Sequence, residues 1–272
     1  MGAVITLTTD FGLNDGYVAA MKGVILGINP SAQIIDVCHT IQPQNINQAA
    51  FILGTVYSFF PSKTVHLAVV DPEVGSERRA IILKTNQAYF IAPDNGVLSY
   101  IIQQYSSRII DKKCNTIEPG TDIEAFAITN PKFWLSPVSS TFHGRDIFAP
   151  VAAHLSLGHL PEEFGSKIKS ISVLPIPHPY QSQDNSLIGR ILHIDNFGNL
   201  ITNIRETDLP INKTININIA DHTITGLSST YREGEKLLAL IGSNGHLEIA
   251  CSKGSAATLI CAKIGGEVII RY

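Results

Sequence analysis

Residues 64–70, TVHLAVV, indicate the fold class most clearly, and Asp71 follows them directly. Its continuous apolar character is typical of a strand covered on both faces, because a half-exposed strand would alternate. Four patterns precede it, two strands alternating with two apolar helices: Ala3–Thr8, Tyr17–Ile28, Gln33–Val37 and Ile46–Phe60. This β-α-β-α-β order predicts right-handed crossovers and a mostly parallel central sheet in an N-terminal α/β domain.

The chain changes character after this domain. The segment 174–186, LPIPHPYQSQDNS, carries three prolines in five positions and then a polar run, which is typical of a linker. Beyond it, turn residues separate short predicted strands: Leu187–Ile194, Leu200–Ile204, Thr214–Ile219, Leu237–Ile241, His246–Ile249 and Glu267–Arg271. This pattern predicts a small antiparallel barrel or sandwich. We therefore expect an α/β domain over 1–173 and a smaller, β-barrel-like domain over 187–272.

Composition and charge argue against several classes of protein. The 272 residues carry 20 Lys and Arg against 23 Asp and Glu, a formal net charge of −3 with no basic block, so we expect no nucleic-acid partner. No apolar run reaches the roughly 18 residues of a membrane span, so we expect no membrane association. The N-terminus has no secretory signal pattern, which predicts a cytoplasmic protein.

The sequence motifs also limit the kinds of site that the protein could contain. Four cysteines without a C-x-x-C pair are expected to be reduced thiols: Cys38, Cys114, Cys251 and Cys261. The histidines lack zinc-site spacing, so a metal site is poorly supported. The sequence also has no G-x-G-x-x-G fingerprint, no P-loop and no G-x-S-x-G elbow, which argues against dinucleotide binding and serine-hydrolase chemistry.

Two carboxylates follow the first strand, in the segment TTDFGLNDG, residues 8–16. Ligands of open α/β sheets collect at the carboxyl ends of parallel strands. Asp10 at this position could accept a pair of vicinal hydroxyls, as acidic side chains do with ribose. Asp15 precedes the predicted helix by one or two residues, so the alternative role for this carboxylate is a helix N-cap.

A third carboxylate, Asp71, follows the predicted strand at residues 64–70. The segment VDPEVGSERR, residues 70–79, leaves that strand, turns through Pro and Gly and re-enters a strand. Asp71 and Arg78, seven residues apart, could face each other across the turn, and the guanidinium would hold the carboxylate in its charged form. The alternative is an ion pair that only staples the loop.

Two further segments offer polar side chains. His143 lies in SSTFHGRDIF, residues 139–148, at the start of a helical pattern. A neutral imidazole there could hydrogen-bond a bound water, and the alternative is a cap or a satisfied core histidine. In the C-terminal domain, IDNFGNL at 194–200 is typical of a turn. Phe197 and Asn199 could equally offer a ring face and an amide edge to a heteroaromatic ring.

Six segments in order, from the first strand to the last, make the sequence resemble one family. They are ITLTTDFG (5–12), VDPEVGSERRA (70–80), APDNG (92–96), SSTFHGRDIFAP (139–150), IDNFGN (194–199) and GSNGHLEIA (242–250). The chain is similar to the S-adenosyl-L-methionine hydrolases that form adenosine, also called hydroxide adenosyltransferases. Related enzymes attack the same substrate with fluoride or chloride and lack the Asp-Arg-His set of the hydrolases. That set is present here as Asp71, Arg78 and His143.

The resemblance implies hydrolysis of S-adenosyl-L-methionine to adenosine and L-methionine, by attack of an activated water on the 5′ carbon, with no metal and no cofactor. It implies that Asp71, Arg78 and His143 carry catalysis. The implied substrate contacts are Asp10 at the ribose hydroxyls, Asp15, Asp195 and Ser243 at the methionine portion, Phe197 and Asn199 at adenine, and Glu248 in the adenosine pocket. It also implies a homotrimer, with each site between the N-terminal domain of one subunit and the C-terminal domain of its neighbour.

Two features depart from the family pattern: the segment between Gly120 and Pro137 is longer than is usual in the family, and one motif residue differs. The family usually has D-P-G-V-G where this chain has Glu73 between Pro72 and Val74. A glutamate fits there only if the backbone does not need a positive φ.

Three other functions are open at this point. A halogenase of the same superfamily would give a 5′-halo product rather than adenosine. A protein that only binds S-adenosylmethionine or adenosine would release no methionine. A metal-dependent phosphoesterase using the scattered Asp and His residues would lose its activity to a chelator.

Overall fold

The computed structural model describes residues 2–106, 110, 115–211, 213–233 and 236–272. The chain divides into two compact units, Met1–Ile176 and Pro177–Tyr272, and the division falls inside the segment 174–186. Cys38, Cys251 and Cys261 are free thiols, while Cys114 lies outside the described residues. Among the helices that the structure describes, none has both the length and the apolar character needed to cross a membrane.

The first unit is built on a six-stranded sheet. The strands of this unit are β1 (Val4–Thr9), β2 (Gln33–Cys38), β3 (Val65–Val69), β4 (Ala80–Thr85), β5 (Tyr89–Pro93), β6 (Thr116–Ile117), β7 (Ile123–Ala127) and β8 (Ile171–Ser172). Strands β6 and β8 form a separate two-stranded pair, and the other six form the sheet. The order across the sheet is β2-β1-β3-β5-β4-β7. The pairs β2–β1, β1–β3 and β3–β5 are parallel, whereas β4 runs antiparallel to both β5 and β7. The predicted parallel-rich sheet is therefore confirmed.

Helices cover both faces of this sheet. They are α1 (Tyr17–Ile28), α2 (Ile46–Val56), α3 (Ser99–Gln104), α4 (Ala149–Ser156) and the short α5 (Pro161–Phe164). Leu67 of β3 packs in one core with residues of α1 and α4, whereas Ala68 packs in the other with residues of α2 and α3. All five residues of β3 are buried, which explains the continuous apolar character of this strand.

The second predicted helix is wrong at its end. The prediction ran to Phe60, but the α-helix stops at Val56 and a single 3-10 turn, Tyr57–Phe59, follows it. Phe60 is extended, with φ −90° and ψ 154°. It precedes Pro61, and the proline ring disfavours the helical conformation of the residue before it.

The second unit is an antiparallel β structure that nearly closes on itself. Its elements are β9 (Tyr180–Gln181), β10 (Leu187–Ile194), β11 (Leu200–Arg205), β12 (Asn216–Ile219), β13 (His222–Thr225), β14 (Leu237–Ile241), β15 (His246–Cys251), α6 (Ala256–Leu259) and β16 (Glu267–Arg271). The order is β13-β12-β16-β10-β11-β15-β14, with β9 on β10. The Ser228 backbone N–H, just beyond β13, donates to the Ala239 carbonyl of β14 at 2.8 Å, which brings the two ends of the order together. The predicted barrel-like fold is confirmed.

Candidate active site

Two carboxylates meet at the carboxyl edge of the parallel sheet. Asp10 follows β1 directly, and Asp71 follows β3 two residues after its end. Because β1 and β3 are neighbouring parallel strands, both carboxylates lie at the same sheet edge. A cleft of about 380 Å³ opens there within the first unit, and the residues at its wall include Asp10, Phe11, Tyr17, Gln44, Asp71 and His143.

Asp71 and Arg78 form a buried ion pair across the turn between β3 and β4. The Arg78 Nε donates to Asp71 Oδ2 at 2.8 Å, and the Nη2 donates to the same oxygen at 2.5 Å. The two side chains are only 5% and 6% exposed, respectively. Paired and hydrogen-bonded in this way, each charge has lost its water but gained a partner in return.

The turn itself explains the unusual glutamate. Gly75 has φ +81°, and a Cβ on it would lie 2.4 Å from the Ser140 carbonyl oxygen, so glycine is needed at this position. Glu73 is exposed and is not among the described residues with a positive φ. The departure from the family pattern therefore falls where the backbone tolerates a side chain.

His143, which is partly buried, completes the set. Its Nδ1 lies 2.8 Å from Arg78 Nη2. A guanidinium only donates hydrogen bonds, so Nδ1 accepts, and the ring is the neutral tautomer with its proton on Nε2. Burial lowers the pKa of His143, and the positive charge of Arg78 lowers it further. Although His143 precedes the π-helical turn Gly144–Phe148, its side chain makes no capping bond, so the capping alternative is wrong.

Asp10 is held by the segment that precedes α2. Its Oδ2 accepts the backbone N–H of Gln44 at 2.8 Å. Gln44 has φ +66°, a conformation that side chains other than glycine adopt at a cost and that concentrates at functional sites. No described residue hydrogen-bonds the other oxygen of Asp10, and this carboxylate lies at the wall of the cleft.

Asp15 is not brought into this set. Helix α1 has Gly16 as its N-cap and no side-chain capping bond, so the capping alternative for Asp15 is wrong. The residue is exposed and is not among those at the cleft wall. Aromatic rings lie at the wall instead: Phe142 packs edge-on against Tyr17 at 5.2 Å and against Phe11 at 5.7 Å between ring centroids.

In the second unit, Asp195 organises the turn between β10 and β11. Its Oδ1 accepts the backbone N–H groups of Phe197 at 2.9 Å and Asn199 at 2.8 Å, and its Oδ2 accepts the Asn199 amide at 3.0 Å. Gly198 has φ +82°, as such a turn requires. The turn leaves the Phe197 ring 76% exposed, so an aromatic face is presented to the surroundings.

Glu248 lies on β15 beside this turn. It is buried, and its Oε2 accepts the hydroxyl of Tyr231 at 2.9 Å. Burial raises the pKa of Glu248, and the charge of Asp195 raises it further, whereas the Tyr231 hydrogen bond acts in the opposite direction. Burial also raises the pKa of Tyr231 to about 12, assisted by the Glu248 bond. Ser243 is exposed in the loop between β14 and β15, next to Gly242, where a Cβ would meet Glu248 Oε1 at 1.8 Å.

Several site residues carry no local signal in the sequence. Tyr231 lies in an irregular polar segment, and only the folded chain brings its hydroxyl to Glu248. Gln44 contributes its backbone N–H rather than its side chain, so residue type does not reveal it. Phe11 and Phe142 lie beside the polar residues Asp10 and His143 in the sequence, and an aromatic residue next to a polar one gives no signal of a place at a cleft wall. Among the described residues, no three His, Cys, Asp or Glu side chains form a group that could hold a metal ion.

The fold and the site together define a class: an α/β unit with a buried Asp-Arg ion pair and a partly buried His at its carboxyl sheet edge, followed by an antiparallel β unit with an exposed aromatic turn. Residues 5–165 match the family model for the SAM hydroxide adenosyltransferase N-terminal domain, and residues 189–269 match the one for the C-terminal domain. The chain belongs to the SAM hydroxide adenosyltransferase family.

Individual relatives agree with this assignment. The chain is 35% identical to an (R)-S-adenosyl-L-methionine hydrolase from Methanocaldococcus jannaschii, over 99% of this chain and 96% of the relative. A fluorinase from Nocardia brasiliensis is 25% identical over 98% of this chain and 96% of its own length. Among solved structures, an uncharacterized conserved protein from Thermotoga maritima superposes with a TM-score of 0.86 at 35% identity, covering 98% of this chain and all of that one.

Proposed function

We propose that the protein hydrolyses S-adenosyl-L-methionine to adenosine and L-methionine, by in-line attack of a water or hydroxide on the 5′ carbon. The observation that carries this proposal is the contact of the buried Asp71–Arg78 ion pair with His143, which lies at the wall of the cleft at the sheet edge. Family membership and the hydrolase names of full-length relatives support it.

The difficult part of this reaction is to provide a strong nucleophile, because the leaving group departs easily. The sulfonium sulfur leaves as the neutral thioether of methionine, so the leaving group needs neither a general acid nor a Lewis acid. Water is a weak nucleophile, and hydroxide is scarce at neutral pH. An anionic nucleophile that approaches a sulfonium cation cancels charge in the transition state, and a site with little water strengthens that attraction. The mechanism therefore requires neither a metal nor a cofactor.

The three side chains can divide the work on the attacking water. Asp71 has lone pairs beyond those used by Arg78, so it can accept a proton of the water or orient it. His143 carries its proton on Nε2 because Nδ1 is occupied by Arg78, so this ring can donate to the water oxygen. Arg78 holds both partners and stabilises negative charge. Positioning of this kind can supply up to ~7–11 kcal/mol of the barrier.

Candidate substrate contacts come from each unit, and the family resemblance implies that they belong to neighbouring subunits. Asp10, at the cleft wall, accepts the ribose hydroxyls through the oxygen that Gln44 does not occupy. The exposed ring of Phe197 offers a stacking face to adenine. Asn199 acts at the adenine edge. The remaining assignments are Asp15, Asp195 and Ser243 toward the methionine portion and Glu248 toward adenosine.

The names of the relatives specify one epimer of the substrate. The (R) descriptor in those names separates the two configurations at the sulfonium sulfur. We extend this preference to the present chain. In-line attack needs the sulfur substituents held in one arrangement, so a site that fits one epimer places the other out of line.

Product analysis with separated epimers tests the proposal. Purified full-length chain is incubated with each epimer, with and without a chelator, and adenosine and methionine are quantified. We expect equal amounts of both products, faster from the (R) epimer, and no effect of the chelator. A 5′-halo nucleoside formed with fluoride or chloride would indicate the activity of the fluorinase relatives instead. Bound but unchanged substrate would indicate a binding protein.

The assembly and location of the protein also belong to the proposal. The homotrimer that the family resemblance implies stays a prediction, and light scattering of the purified chain measures its mass in solution. A cytoplasmic location is likewise proposed, and fractionation of cells with an antibody to the chain would test it.

A further inference from the structure

His39 contacts the turn that carries Asp10 at two points, once through its side chain and once through its backbone. The His39 Nδ1 lies 2.8 Å from the hydroxyl of Thr9, at the end of β1. The backbone carbonyl of His39 accepts the N–H of Gly12 at 2.7 Å. Both His39 and Thr9 are buried, with 4% and 0% exposure. Asp10 therefore lies on a short turn anchored to one residue on either side.

Further polar contacts of His39 indicate which partner donates in the hydrogen bond between His39 and Thr9. The His39 Nε2 lies 3.0 Å from an oxygen of Asp36, and the other Asp36 oxygen accepts from Lys22 at 2.6 Å. The Nε2 makes no aligned hydrogen bond, but a carboxylate this close still favours the tautomer with its proton on Nε2. The Nδ1 then accepts the Thr9 hydroxyl proton. The Thr9 oxygen in turn accepts the backbone N–H of Phe11 at 3.3 Å, which fixes the chain just after Asp10.

The same segment holds the carboxylate as well as the backbone. Gln44, five residues after His39, donates its N–H to Asp10 Oδ2 at 2.8 Å. The backbone of residues 9–12 and one oxygen of Asp10 are thus all tied to residues 39–44. The second oxygen of Asp10 has no hydrogen-bond partner among the described residues, and Asp10 is one of the residues at the cleft wall.

We infer that His39 is a positioning residue for ribose recognition, acting through Thr9 on the orientation of Asp10. This inference rests on the proposed function, in which Asp10 accepts the ribose hydroxyls. It goes beyond that function because His39 and Thr9 touch no substrate. Their effect is therefore on how strongly the site distinguishes ribose from 2′-deoxyribose.

The chain contains a matched control for this contact. Thr6, also on β1, places its hydroxyl 2.8 Å from Nδ1 of His66. Both residues are as buried as the other pair, with 0% and 1% exposure. The Thr6 bond has the same chemistry and strand but lies away from the Asp10 turn. A loss of stability alone should affect both pairs equally.

The test compares Thr9→Val with Thr9→Ser and Thr6→Val. The readout is the ratio of the dissociation constants of 2′-deoxyadenosine and adenosine, measured by calorimetry on the full chain. We expect Thr9→Val to reduce this ratio about ten-fold, since a hydrogen bond to a misplaced carboxylate is lost. Thr9→Ser keeps the hydroxyl and should keep the ratio, and Thr6→Val should keep it while lowering the melting temperature. A Thr9→Val variant with the wild-type ratio would overturn the inference.

Two further variants separate this inference from the proposed function. If Asp10→Asn abolishes the preference for ribose but Thr9→Val does not, only the role of His39 is wrong. If Asp10→Asn leaves the preference intact, the ribose contact of Asp10 is wrong, and the inference falls with it. His39→Gln should lower the ratio as Thr9→Val does, because its amide can reach Asp36 but no longer takes the Thr9 proton; this variant gives the same test should Thr9→Val fail to fold.

Discussion

Replacing Asp71 by Asn removes one charge of a buried ion pair and keeps the side-chain shape. The Arg78 guanidinium would stay 6% exposed with no carboxylate opposite it, and the new amide N–H groups would face its own donors. Breaking a buried pair in this way typically costs about 3–5 kcal/mol of unfolding free energy. Loss of the proton acceptor should lower turnover by ~10²–10⁴-fold.

A neighbouring pair provides the control for this substitution. Arg79 contacts Asp94 at 2.5 Å, with Asp94 only 3% exposed but Arg79 40% exposed. Asp94→Asn should therefore cost less, about 1–2 kcal/mol, because the freed guanidinium still reaches water. This pair is not at the cleft wall, so turnover should stay at the wild-type level.

Chemical denaturation and single-turnover release of adenosine measure the two effects separately. We expect Asp71→Asn to lose both stability and rate, and Asp94→Asn to lose only some stability. A rate loss of similar size in both variants would mean that turnover reports general destabilisation. An Asp71→Asn variant with the wild-type rate would refute the assigned role of this carboxylate.

Three further predictions concern the turn, His66 and His143. Gly75→Ala should lower the melting temperature and cost at least about 1–2 kcal/mol, because φ is +81° and the Ser140 carbonyl blocks a Cβ; an unchanged melting temperature would contradict this. Burial lowers the pKa of His66 to about 4. Between pH 6.5 and pH 4, this side chain therefore binds a proton in the unfolded chain but not in the folded one. Stability from this group is complete above pH 6.5 and falls by about 3 kcal/mol toward pH 4, a loss that denaturation of His66→Leu should not show. The pKa of His143 is also lowered, first by burial, so turnover should stay level down to pH 6.5 and decline only below it; a decline beginning above pH 6.5 would exclude the neutral ring as the working form.

Much of the fold follows from hydrophobic patterning. The run at 64–70 predicted a doubly covered strand, and helices pack on both faces of β3. Strand β13, His222–Thr225, was not predicted because its sequence is polar and only Ile224 among its residues is buried. As the last strand of the sheet order, it needs no apolar alternation of its own.

Some residues of the candidate site could likewise be predicted from the sequence, and others could not. Sequence reasoning could single out Asp71 and Arg78 because both lie on one short turn after a predicted strand. His143 joins them through a contact with Arg78, 65 positions earlier in the chain, which patterning cannot foresee. Tyr231 and His39 act through bonds made only in the folded chain, to Glu248 and Thr9 respectively. Local sequence thus predicts the groups that carry the chemistry better than the groups that hold them in place.

In the proposed reaction, water attacks the 5′ carbon of S-adenosyl-L-methionine. The most direct measurement is mass spectrometry of the products formed in water labelled with heavy oxygen. The proposed mechanism predicts one labelled oxygen in the 5′-hydroxyl of adenosine and none in methionine. Unlabelled adenosine, or label carried by the amino-acid product, would contradict it.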